Sequence, residues 1–312
     1  MKEHPLKELS ERFISDNNFS DSTIKSYRIA FKKYINYLIE HHIEYAKTSD
    51  VISYREDKRR KGYSTHYIYI HICALKGLYR YLKINQHRLH LPDEYAYNVM
   101  IPIKNERIKY HITKPILTIE QAKRMILHTK KIRKSIWHYR DHAMIYLMLT
   151  SGMRSLEIKE VKIEDYQVID GKRILYVRKN GKRSNDEFVK IAPGVEVAIN
   201  DYLNKRNDDH PYLFVTTKNT SPEKHLSRTF FREMFLRVMK DCGLEGSGIT
   251  PHALRHTAAM INLERGGSLE ETRQLMRHKN VQSTLVYQNY MKRLNDDSEA
   301  QIEKFILGED KR

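Results

Sequence analysis

The sequence predicts a mainly α-helical fold carrying a small antiparallel β-sheet, with a helical N-terminal domain and a mixed α/β C-terminal domain. Three observations predict it. Apolar residues recur at intervals of three and four over Ser22–His42 and again from Ser64, which is the stripe of an amphipathic helix. The periodicity then fails from about Asn85 to Thr118, where Pro92, Pro102 and Pro115 punctuate a stretch rich in Lys, Arg and His. Beyond that break, Asp170-Gly171 and Asn180-Gly181 stand between strand-like runs, and both pairs favour tight hairpin turns.

The first helix presents Ile24, Tyr27, Phe31, Tyr34, Ile35 and Leu38 on one face, with Ser20 and Ser22 available as caps. The second aligns Ile68, Ile72, Leu75, Tyr79 and Leu82. Between them Asp57-Lys58-Arg59-Arg60-Lys61-Gly62 is a basic run closed by a glycine suited to a helix C-cap. It reads either as a solvated helix end or as a phosphate contact. These features set the expected domains: a helical unit over 1–88, a basic linker over 89–116, a second domain over 117–297 and a tail over 298–312.

In the second domain Thr118 caps a helix with Glu120-Gln121 in its first turn. The apolar run His142–Leu149 predicts a helix buried on most faces, broken by Gly152, so that Arg154 is held at a tight turn before Leu156 and Ile158 resume packing. Strands are expected at Arg173–Val177 and Phe188–Ile191, and Lys179 falls at a hairpin tip beside Arg178, Lys182 and Arg183. Thr250 and Pro251 open a further helix that carries His252 and Arg255, three residues apart, near its electropositive end. Ser268 and Glu271 form a capping box, and the helix they start runs to His278. A helix from about Asn280 carries Tyr287 and, one turn on, Tyr290, and chemistry alone does not separate these two. The tail places Ile302, Phe305 and Ile306 on one side of a short amphipathic helix.

Bulk properties restrict the partner. Lys and Arg number 56 against 39 Asp and Glu in 312 residues, a net charge of +17, and such a chain attracts a polyanion and releases its counterions on binding. Double-stranded DNA is the expected partner. No apolar run is long enough to span a bilayer, and the start MKEHPLKELSERF lacks a signal-peptide core, so a cytoplasmic, nucleoid-associated location is expected. Cys73 and Cys242 cannot form a disulfide framework and lack metal-ligand spacing, and both read as buried hydrophobes. His252 and His256 have the spacing of a zinc helix, but Ala253 stands where zinc hydrolases carry glutamate. Arg154, Lys179, His252, Arg255, His278 and Tyr287 can therefore surround one DNA phosphate with positive charge and aim a hydroxyl at it. That is the equipment of phosphoryl transfer through a tyrosine.

The series Thr-Ser-Gly-Met-Arg154-Ser-Leu-Glu, the hairpin lysine, His252-Ala-Leu-Arg255-His256, and His278 with Tyr287 resembles the tyrosine recombinase family of phage integrases, transposon integrases and Xer-type resolvases. The resemblance covers nearly the whole chain. It implies a helical core-binding domain, a catalytic domain, and strand cleavage and rejoining at a defined site without metal, ATP or any other cofactor. It implies that Tyr287 attacks the phosphate to leave a 3′-phosphotyrosine, Arg154 and Arg255 clamp the nonbridging oxygens, and Lys179 protonates the departing 5′-oxygen. His252 would help to remove the tyrosine proton and His278 would donate a hydrogen bond to the phosphate. It further implies a homotetramer on two DNA sites, with the tail either packed on its own domain or docked on a neighbour, and accessory DNA-bending or directionality proteins.

Two departures stand out. Arg178 and Asn180 flank Lys179 where the family commonly has glycines, which leaves Lys182 as an alternative proton donor, and Arg277 replaces a common glycine before His278. The chain opens almost directly into the core-binding helices, so a simple core site is expected rather than an array. Lys58, Arg59, Arg60, Lys61, Arg178, Lys182 and Arg277 are the expected further DNA contacts. A type IB topoisomerase would use the same chemistry on one duplex; a regulator of the same fold would lack a reacting residue, and a metal nuclease would need clustered carboxylates.

Overall fold

The computed structural model describes residues 4–106, 115–179, 182–216 and 226–307. The chain divides into two compact units, Met1–Lys109 and Tyr110–Arg312.

In the first unit α1 (Leu6–Ser15), α2 (Asp21–Glu40), α3 (Thr48–Arg60) and α4 (Thr65–Ile84) enclose one core. The two anticipated stripes form its centre: Phe31, Tyr34 and Leu38 of α2 are buried, as are Ile68, Ile72, Leu75, Tyr79 and Leu82 of α4. Tyr34 and Tyr79 satisfy each other's hydroxyls at 3.1 Å, which lets two polar atoms enter an apolar interior. The Ser20 hydroxyl accepts the Thr23 N–H and the Ser64 hydroxyl accepts the Tyr67 N–H, so each helix begins where its cap places it. Helix α3 escaped the pattern because its buried side is thin, only Val51, Tyr54 and Lys58.

The linker expectation differs from the structure over its first half. Tyr95, Val99, Met100 and Ile103 are buried in the core of the first unit, and the Thr48 hydroxyl donates to the Val99 carbonyl at 3.0 Å. Apart from the single 3-10 turn Asp93–Ala96, too short to carry a period, apolar residues at irregular spacing pack there outside helix and strand. Residues 107–114 of the expected linker lie outside the described residues.

The second unit opens with α5 (Ile119–Lys131), whose Thr118 cap and Gln121 form a capping box. Next comes α6 (Ile136–Ser151), buried along most of its length between α5, α8 (Pro193–Lys205) and α10 (Pro251–Glu264). After the short α7 (Ser155–Glu160) the chain forms a three-stranded antiparallel sheet, β1 (Tyr166–Ile169), β2 (Lys172–Lys179) and β3 (Lys182–Lys190), in that spatial order. Leu175 pairs with Tyr166 on one side and Val189 on the other. Asp170 and Gly171 both have positive φ, 49° and 71°, as a tight hairpin turn demands. The second expected turn, Asn180-Gly181, lies outside the described residues. Helix α9 (Arg228–Asp241) precedes α10, and α11 (Leu269–Met276), α12 (Gln282–Leu294) and α13 (Ser298–Leu307) complete the unit. Cys242 is buried as expected, whereas Cys73 is only partly so.

Candidate active site

The end of α6 sets the first guanidinium. Gly152 is left-handed at φ 59°, and a Cβ there would stand 2.9 Å from the Met276 Sδ, so both conformation and space select glycine. The chain re-enters helix at α7 with Arg154 as its N-cap. The Arg154 N–H donates to Glu157 Oε2 at 2.8 Å and its Nη1 donates to Oε1 at 2.6 Å. Arg277 Nη2 donates to the same Oε2 at 2.7 Å, so one buried carboxylate binds two arginines. Burial pushes the Glu157 carboxyl upward, but Arg277 and the Arg154 N–H and guanidinium outweigh it and hold it below the usual range.

Arg255 is held differently. It lies on α10, 2% exposed, and its two terminal nitrogens donate to the carbonyls of Gly152 and Met276. Neutral acceptors orient the guanidinium without cancelling its charge. Burial, and then the repulsion of Arg154 and Arg277, lower its pKa to about 9, so it remains cationic at neutral pH and gains from any anion brought beside it.

Tyr287 on α12 is 4% exposed. Its hydroxyl is 2.5 Å from His256 Nδ1, and its ring lies parallel to that of His278 with centroids 6.4 Å apart. His278 is itself fixed by the Thr284 hydroxyl, 2.9 Å from Nδ1. Burial raises the phenol's pKa, while Arg255 and then Arg154 pull it back down, which is the signature of a phenol facing those two cations. Tyr290, one turn further on, is 42% exposed.

Arg154, Arg255, His278 and Tyr287 are thus gathered in one cluster. His252 is exposed on the first turn of α10, and its ring meets that of His256 edge-on at 4.6 Å. Lys179 ends β2 and its backbone pairs in register with Lys182 at the start of β3. The side chains of both lysines lie outside the described residues. Two members of the cluster carried no role in the sequence reading. Glu157 stands three residues after Arg154 and His256 four after His252, and on a helix both intervals put side chains on one face, so the spacing was visible while the role was not. Among the described residues no group of three or more His, Cys, Asp or Glu side chains is placed to hold a metal ion.

Several expected DNA contacts turn inward, and the expectation is corrected for them. Lys58 is buried, with its ammonium 4.7 Å from the Tyr54 ring centre and paired with Asp57. Arg178 is buried and forked on Asp165, with Glu164 also on its guanidinium, so its charge is spent fixing β2 to the preceding turn. Arg277 is buried on Glu157. It occupies a left-handed position, φ 50°, which explains why glycine suits this site; the bonds of its guanidinium to Glu157 and to the Ser151 and Leu275 carbonyls offset a strain of about 1 kcal/mol. Arg59 reaches Glu56 and Glu106, and Lys61 reaches Asp57. Arg60 is exposed at the end of α3.

The fold and its functional relatives are those of enzymes that break and rejoin DNA, the tyrosine recombinases. Residues 115–293 match the Phage integrase family, and residues 6–86 match its N-terminal SAM-like domain. The chain belongs to the phage integrase family. Among curated relatives, the tyrosine recombinase XerA of Pyrococcus furiosus is 29% identical over 270 residues, covering 86% of this chain and 83% of the relative. The tyrosine recombinase XerD of Oceanobacillus iheyensis is 23% identical over 311 residues, covering 95% and 97%. Of solved structures, the XerH recombinase in a post-cleavage complex with its difH substrate superposes with a TM-score of 0.71 at 19% identity, over 90% of this chain and 80% of that one. A lambda integrase dimer on a core site superposes with a TM-score of 0.62 at 16% identity, over 88% and 96%. The chain is a site-specific DNA recombinase by these relationships. Among the described residues no helix is long and apolar enough to cross a membrane.

Proposed function

We propose that this recombinase cuts one strand at a time at a duplex site through Tyr287, conserving the bond energy in a 3′-phosphotyrosine. The observation that carries this is the burial of one phenol against His256 and His278, within the field of Arg255 and Arg154. The tyrosine oxygen attacks phosphorus as the bond from phosphorus to the 5′-oxygen breaks, and the departing oxygen takes a proton from Lys179. Arg154 and Arg255 stabilise the charge that builds on the nonbridging oxygens, and the undiminished charge of Arg255 suits it to that task. His278 donates to the phosphate from its Nε2–H, in the tautomer whose Nδ1 accepts the Thr284 hydroxyl. Attack by the 5′-hydroxyl of a partner strand reverses the chemistry and exchanges the strands. The phosphoester bond order is preserved throughout, so the sequence of steps consumes neither ATP nor an oxidant.

The DNA complexes of XerH and lambda integrase support duplex recombination sites as the substrate of this chain. Exchange between two sites needs four active tyrosines, so the working form is a homotetramer. Helix α13, with Phe305 77% exposed and Ile306 75% exposed, is suited to dock on a neighbouring copy. A nucleoid location and accessory DNA-bending proteins belong to the same reading.

The test is covalent capture. A nicked duplex selected from a randomised library by the adduct it forms with the full chain is resolved by denaturing electrophoresis. The adduct is expected from wild type and Tyr290→Phe and not from Tyr287→Phe. Loss of adduct in Tyr290→Phe alone overturns the assignment.

A further inference from the structure

The phenol of Tyr287 is a poor nucleophile while protonated, and burial holds its pKa above the ordinary tyrosine value. A base within hydrogen-bond reach is required, and geometry comes before basicity in choosing one. His252, the residue that resemblance puts forward, is exposed and meets its neighbour's ring edge-on; the atom 2.5 Å from the tyrosine oxygen is Nδ1 of His256. His278 is 6.4 Å from the phenol ring in a parallel arrangement, and its own Nδ1 is bound to Thr284. The imidazole of His256 is also rigidly placed. It rides on α10 directly after Arg255, whose guanidinium is tied to the carbonyls of Gly152 and Met276.

We propose that His256 is the catalytic residue that accepts the Tyr287 proton at Nδ1 during cleavage and returns it during rejoining. As the oxygen–phosphorus bond forms, the phenolic O–H bond breaks and its proton passes to the neutral imidazole, giving a cation. When the 5′-hydroxyl later expels the tyrosine, the same proton moves back, so no proton is gained or lost over the cycle at this residue. The groups facing the pair are His252 and Arg255 from α10, Arg154 from the turn before α7, and His278 from the turn between α11 and α12. The cations among them stabilise the phenolate that the transfer produces. His252, in edge contact with His256, is a positioning residue for its ring.

This inference rests on Tyr287 being the nucleophile, and the experiment separates the two. Single-turnover cleavage of the nicked duplex obtained by covalent capture is followed from pH 5.5 to 9.5 for the full chain and for His256→Asn, His256→Ala, His252→Asn and Tyr287→Phe. The wild-type rate is expected to rise and then level once the imidazole is neutral. His256→Asn keeps a polar group near the oxygen but cannot take the proton; its rate is expected to fall at neutral pH by about 100-fold and to climb by about tenfold per pH unit without a plateau, because the phenol must ionise unaided. Added imidazole is expected to restore cleavage by His256→Ala, a response that a merely structural loss would not give. Retention of the plateau in His256→Asn, or its loss in His252→Asn instead, overturns the role of His256 while Tyr287→Phe remains dead. An adduct formed by Tyr287→Phe, or none by wild type, overturns the nucleophile and this inference together.

Discussion

Removal of the Glu157 carboxylate is the perturbation that the structure prices best. The side chain is 5% exposed and receives three hydrogen bonds, from the Arg154 backbone, from the Arg154 guanidinium and from Arg277. Truncating one partner of a buried ion pair typically costs 3–5 kcal/mol, roughly, because the other charge is left without compensation. The two arginines differ here. Arg154 is 38% exposed and water screens part of its loss, whereas Arg277 is 6% exposed and has no such relief. The lower end of the range, about 3 kcal/mol, is therefore expected for Glu157→Ala. The chain has a single tryptophan, Trp137 on α6, so its fluorescence reports unfolding of the second unit. With a urea dependence of about 2 kcal/mol per molar, the midpoint is expected to drop by about 1.5 M. Adding Arg277→Met to Glu157→Ala is expected to recover about half of the loss, since the orphaned cation is gone. A Glu157→Ala midpoint within about 0.3 M of wild type, or no recovery in the double variant, would refute the reasoning.

Further outcomes follow from other parts of the molecule. Gly152→Ala is expected to lower stability by about 1–3 kcal/mol, through a left-handed backbone and the 2.9 Å approach to Met276, and to slow adduct formation because Arg255 leans on the Gly152 carbonyl; a wild-type urea midpoint would contradict this. Burial pushes His278 and His142 down to about 4, and the unfolded histidine titrates near 6.5, so the unfolded chain binds more protons between these values. Stability of the second unit is thus complete above pH 6.5 and is lost as pH falls toward 4, and the Trp137 midpoint measured at pH 7.5 and 5 should decrease; an increase would reverse the sign argued here. Arg60→Gln is expected to reduce the salt dependence of duplex binding by about one counterion, while Lys58→Met leaves that slope unchanged and shifts only thermal unfolding, as titrations across salt concentrations would establish. Deletion of 298–312 is expected to preserve binding of one protomer to a half-site and to abolish cooperative occupation of the full site in a gel-shift titration; unchanged cooperativity would remove α13 as the docking element.

Residues that act through local spacing were legible before any coordinates. The stripes of α2 and α4, the caps Ser20, Thr118 and Ser268, and the Asp170-Gly171 turn depend on neighbours a few positions away, and such rules are written along the chain. The order Arg154, Lys179, His252, Arg255, His278, Tyr287 was likewise readable as chemistry in search of a phosphate. Charge in the sequence, by contrast, says nothing of direction. Lys58, Arg178 and Arg277 counted toward a basic surface until folding turned them onto Asp57, Asp165 and Glu157, and the segment around Tyr95–Ile103 counted as linker until its irregular apolar residues met a core. The meeting of Tyr287 with His256 across an interval of 31 residues belongs to the same kind. Only the packing of α10 against α12 brings that hydroxyl to that imidazole, because an apolar face written along one helix does not name the distant segment that will bury it.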